Sequence, residues 1–135
     1  MASPNQVTLV NKTIPAAGTY VTDAYYIGKE SNYLAAQMNF VRDAGGTSLK
    51  AYIQTTFDET NWCDIICFAL TTTTVRKVSA VTLATALAAN ITPTDGTLSD
   101  NTILSGLLGS KIRIKYVVVG TYTGVSTVRI DVVLR

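Results

Sequence analysis

The chain has 135 residues, 47% of them hydrophobic and only 15% charged, with a formal net charge of +2 and a histidine count of 0. This composition excludes a disordered polymer, and so slight a basic bias excludes the clustered cationic surface of a nucleic-acid binder. Without histidine, the Ser-His-Asp, Cys-His and zinc-hydrolase schemes have no members to build from.

In chain order, Met1 to Gln6, with Pro4 and Asn5, contains neither a positively charged nor an apolar leader region. It reads as an N-terminal arm laid against a neighbouring subunit, ahead of a single domain spanning 1–135. Val7-Thr8-Leu9-Val10 fits a short first strand, and Pro15-Ala16-Ala17-Gly18 a turn into a strand from Thr19 to Ile27. A further strand, Tyr33 to Val41, closes at the turn Asp43-Ala44-Gly45-Gly46. Leu49, Ala51 and Ile53 then alternate with Lys50, Tyr52 and Gln54, the period-two pattern of a strand with one face in a core. After Asp58-Glu59-Thr60-Asn61, Trp62 to Leu70 returns as its hairpin partner.

Thr71-Thr72-Thr73-Thr74 introduces a strand from Val75 to Val81, whereas Leu83 to Ala89 fits a short helix as well as a strand. Ile91 to Asn101 reads as a loop whose Ser99-Asp100-Asn101 caps a helical turn through Ile103-Leu104-Ser105-Gly106, closed by Gly109. Lys111, Arg113 and Lys115 alternate with Ile112, Ile114 and Tyr116, and Val128, Ile130, Val132 and Leu134 with Arg129, Asp131 and Val133. These two runs are expected to form a second hairpin through Gly120-Thr121-Tyr122-Thr123-Gly124. Short strands at this spacing predict an all-β, antiparallel β-sandwich, jelly-roll-like or Ig-like, with at most one or two short helical turns. No stretch approaches the ~18 continuous apolar residues of a membrane span, so a soluble chain without a membrane partner is expected.

The remaining candidates for chemistry are few. Asp58 and Glu59 are neighbours in one turn, with Asp64 just beyond, and adjacent carboxylates do not face each other across a sugar as glycoside cleavage requires. The glycines fit no phosphate-cradling motif and the acidic turns no calcium loop. Cys63 and Cys67, four positions apart on one strand, sit roughly 13 Å apart, too far to bridge, and read as buried thiols. The expectation is a non-enzyme with no catalytic, cofactor or metal-binding residue. On the last hairpin, Lys111, Arg113 and Lys115 with Arg129 form either a solvated outer face or a docking surface for an acidic partner. Trp62 is either a core anchor or a ligand platform. The seven tyrosines suit surfaces partly buried against a partner, whether protein or sugar.

The run Leu49-Lys50-Ala51-Tyr52-Ile53-Gln54-Thr55-Thr56-Phe57-Asp58-Glu59-Thr60-Asn61-Trp62-Cys63-Asp64-Ile65 resembles a strand-turn-strand pattern of small tailed-bacteriophage structural proteins. Gln54, Thr55, Asp58, Trp62, Asp64 and Ile65 match it, while Phe57 precedes the aspartate and Glu59 stands where the pattern has glycine. At lower specificity the resemblance extends through Ala17-Gly18-Thr19-Tyr20, Tyr33-Leu34 and Lys111 to Leu134. It implies a β-sandwich virion component, most often a capsid decoration or cement protein, made in the host cytoplasm and oligomerising on the outer shell. The partners implied are the major capsid protein or another virion protein, and further copies of the chain, a trimer ahead of other sizes. The alternative is a tail- or head-fibre-associated adhesion module that binds carbohydrate through Trp62 or exposed tyrosines.

Overall fold

A computed structural model describes residues 6–28 and 31–135. The fold is an all-β antiparallel sandwich with no helix among the described residues. One sheet has the order β1-β11-β4-β8, from β1 (Gln6–Thr13), β11 (Thr127–Leu134), β4 (Tyr33–Val41) and β8 (Val75–Thr82). The other has the order β2-β9-β6-β7, from β2 (Gly18–Val21), β9 (Lys111–Val119), β6 (Ser48–Thr56) and β7 (Trp62–Leu70), and β3 (Tyr25–Tyr26) also pairs with β9. Two short strands, β5 (Ala44–Gly45) and β10 (Tyr122–Thr123), pair with each other.

Alternation in β4 and β11 turns Leu34, Met38, Phe40, Ile130 and Val132 inward, where they share one core with Leu49, Ile53, Phe68, Ile112 and Ile114 of the second sheet. The hairpin of β6 and β7 forms as the alternation indicates, in the register Leu49 with Leu70 to Thr56 with Trp62, shifted once between Ile53 and Gln54.

The expected second hairpin does not form. β9 and β11 lie in different sheets, β9 between β6 and β2, β11 between β1 and β4. A period of two reveals that a strand buries one face and is silent on which strand lies beside it. The connection crosses the sandwich through β10, where buried Tyr122 meets Phe40 edge-on at 5.7 Å and donates its hydroxyl to the Thr71 carbonyl at 2.6 Å. Gly46 makes room for it: with φ +79, a Cβ there would lie 2.2 Å from the Tyr122 ring.

Three smaller expectations also change. The strand expected from Thr19 to Ile27 is interrupted, because after β2 the Thr22 hydroxyl takes up the Ile114 amide and the chain resumes pairing only at β3. The first strand is longer than expected and begins at Gln6, while Pro4 and Asn5 of the expected arm lie outside the described residues. Neither 83–89 nor 103–106 is helical; Ile103 instead bridges Ile66 in antiparallel fashion.

Candidate functional site

The long irregular segment 83–110 lies along the free edge of β7 and over the outward face of its sheet. Backbone bonds from Asp64 to Thr94, Cys67 to Thr102 and Leu104 to Ile65 make it a surrogate strand for that edge. The polar side chains beneath are consequently buried: Gln54, Thr55, Thr56 and Asp64 are all 0% exposed.

Asp64 is the hub. Its carboxylate accepts the amides of Gly96 at 2.8 and 2.9 Å, Thr97 at 3.0 Å and Leu98 at 3.1 Å, together with the Thr94 hydroxyl at 2.9 Å and the Gln54 amide at 2.8 Å. Successive amides converging on one carboxylate form an anion nest, here filled by the protein's own side chain. Gln54 continues the row, donating to Asp95 at 2.6 Å and accepting from the Arg113 Nε at 2.8 Å. The Arg113 guanidinium lies 4.2 Å from the Trp62 ring centroid, a cation–π contact that covers one face of the indole. Burial lowers the Arg113 pKa, countered by the charges of Asp95 and Asp64.

The three cations of β9 do share one outward face, and each has a carboxylate partner within the chain. Lys111 pairs with Glu59, Lys115 with Asp95 at 3.1 Å, and Arg113 approaches the same Asp95 at 3.9 Å. Burial works against the Asp95 charge, but hydrogen bonds from Gln54 and Lys115 and the charges of Lys115 and Arg113 outweigh it and hold the pKa below its ordinary value. Arg129 is not part of this row. It lies on β11, across the sandwich, and pairs with Asp131 at 2.9 Å.

Trp62 is half-buried, at the mouth of a hollow of about 210 Å³ shared with Phe57, Ile91, Pro93 and Leu107. The polar rim consists of Asp58 and Asn61, which are already engaged with each other: Asp58 accepts the Asn61 amide and side chain, both at 2.7 Å, and the Thr60 amide at 2.9 Å. Those bonds hold the Asp58 pKa down at about 2. Next to it, Glu59 adopts φ +67, the left-handed conformation that glycine takes without strain.

Both cysteines are buried and unbridged, and burial pushes their thiols up, keeping them protonated and unreactive. Among the described residues no group of three metal-ligating side chains comes together.

The outward face of the four-stranded sheet is arranged differently. Register sets Asn11, Arg129, Asn39 and Arg76 in one row across it, Thr8, Asp131, Gln37 and Val78 in the next, and Gln6, Val133, Ala35 and Ala80 in the third. The third row, with Tyr33, lines a shallow hollow of about 580 Å³. The sequence signal for this surface was present in the small outward residues Ala35 and Ala80. Reading it required the strand order. Comparison with protein-family models, with curated proteins and with solved structures found no match.

Proposed function

We propose that the chain is a non-enzymatic virion structural protein, a capsid decoration or cement protein that binds the assembled phage head and stabilises it. The observation that carries this reading is how the acidic side chains are used. Asp64 is enclosed by five donor groups, Asp58 organises the β6–β7 turn, and Asp95 and Glu59 neutralise the β9 cations. Four carboxylates on which a hydrolytic site could draw are thus committed to rigidity, which favours the broad sheet surfaces as the parts that act. The resemblance between residues 49 and 65 and the phage structural pattern points the same way. A protein that binds the closed lattice and not its free subunits stabilises it by mass action, and copies joined in an oligomer gain further from multivalency.

The test is co-sedimentation of the purified protein with shells assembled from the major capsid protein of the same genome, with shell melting followed in parallel. Retention on the shell and a raised melting temperature are expected; no retention overturns the proposal. The adhesion reading draws on the Trp62 hollow. It is less well supported, because Arg113 covers one indole face and the polar rim is bonded to itself. A glycan array probed with wild type and Trp62→Ala separates the two.

A further inference from the structure

Charge is divided unevenly between the two sheets. On β6 and β9, Lys50 is matched by Asp100, Lys111 by Glu59, and Arg113 and Lys115 by Asp95. On the opposite sheet the register places Arg76 and Arg129 on the outward face, with Asp131 as the one carboxylate of those strands. Lys12 and Lys77 fall on the alternate side, Lys77 donating to the Ala69 carbonyl and to Asn101. The Asp131 carboxylate is taken by the Thr8 hydroxyl and by Arg129. Arg76 has no ion-pair partner among the described residues, and it projects outward two strands away from Arg129.

Between these cations and the end of the sheet lies a low surface in which Val78, Ala35, Ala80 and Val133 form an apolar patch bordered by Thr8, Gln37, Asp131 and Gln6. Val78 is 69% exposed, and Ala35, Ala80 and Val133 form a floor with little side chain above the backbone. Strand addition at the margins is discouraged, since β1 breaks register between Thr8 and Val10 and β8 carries adjacent Arg76 and Lys77. Contact is therefore favoured on the face and not on the edge.

We propose that this outward face is the docking surface of the molecule, and that its occupant is a protein surface presenting an apolar ridge flanked by Asp or Glu carboxylates. The inference rests on the virion reading and specifies which side of the chain meets the shell. Low side chains let a ridge approach the sheet closely, and guanidinium forks engage carboxylates in a planar, two-bond geometry that lysine does not offer. A nucleic acid would need cations following its phosphates across the face, where Val78, Ala35, Ala80 and Val133 instead present an uncharged floor.

The experiment measures shell binding of wild type, Arg76→Glu and Val78→Asp, with Lys50→Glu and Val21→Asp on the opposite sheet as charge-matched and size-matched controls. Each face variant is expected to lower affinity by about tenfold or more, with controls within about twofold of wild type and binding that weakens as salt rises. Arg76, Val78 and Val21 are exposed and Lys50 is half-buried, and melting curves verify that each variant is folded; Ala80→Glu, from the docking face, replaces a face variant that is not. Wild-type binding that both face variants retain in full overturns the docking surface and leaves the virion reading standing. Failure of the wild type to bind shells overturns both. Wild-type self-association abolished by Val78→Asp, or Arg76-dependent retention of a short DNA duplex in place of shells, overturns the assigned occupant.

Discussion

A buried carboxylate is costly unless its lone pairs are met by donors, and Asp64 is met on every side by the chain it anchors. Asp64→Asn keeps the shape but turns one oxygen into a donor aimed at the amides of residues 96–98, at a cost of about 2–4 kcal/mol read from the urea midpoint. Asp58 gives a pH signature. Its folded pKa of about 2 lies below the ordinary 3.8, so its contribution to stability is complete above about pH 4 and is lost as pH falls towards 2. Asp95, also held low, acts in the same direction. Denaturation midpoints are expected to decline across that window, and less steeply in Asp58→Asn. Glu59 is a residue at which the fold works against local preference. Glu59→Gly is expected to raise stability by about 0.5–1 kcal/mol, the relief of left-handed strain exceeding the loss of an exposed ion pair with Lys111.

At the level of elements, residues 83–110 behave as a cover fastened at a few points, of which Asp64 is the most heavily bonded. Releasing that point in Asp64→Asn is expected to expose residues 83–104 to limited proteolysis while the circular dichroism of the sandwich persists; equal resistance of mutant and wild type would show that the cover is held elsewhere. The elements also show what one sequence can and cannot disclose. β4 and the β6–β7 hairpin were legible because alternation and a polar turn are local signals. The placement of β9 and β11 in separate sheets was not, since Ile112, Ile114, Ile130 and Val132 bury the same kind of face whichever strand lies alongside. The burial of Gln54 and Asp64 was hidden because the part of the cover that encloses them, Thr92-Pro93-Thr94-Asp95-Gly96-Thr97, reads as a solvated loop. A sign was nevertheless available: Cys63-Asp64-Ile65-Ile66-Cys67-Phe68 is apolar on both faces, as in a strand covered twice, and an aspartate in such a run needs a nest. Lys111, Arg113 and Lys115 share a face as their alternation indicates, but Arg129, expected beside them, lies in the other sheet, and the partners Glu59 and Asp95 come from turns whose positions no local pattern gives.

For the molecule as a whole, the sandwich is built almost entirely from contacts between residues far apart in the chain, with β1 paired to β11 and β2 to β9. Refolding from denaturant is therefore expected in milliseconds to seconds, and microsecond kinetics would be inconsistent with this topology. The position of β11 has a consequence for biosynthesis. It fills the gap between β1 and β4, yet a ribosome makes it after every other strand of that sheet. Until it emerges, β1 has no partner and β4 is bordered on one side only, so half of the sandwich stays greasy and open, an aggregation-prone state. Translation intermediates arrested before residue 127 should be degraded quickly, and protection should appear abruptly once the final strand slots into place.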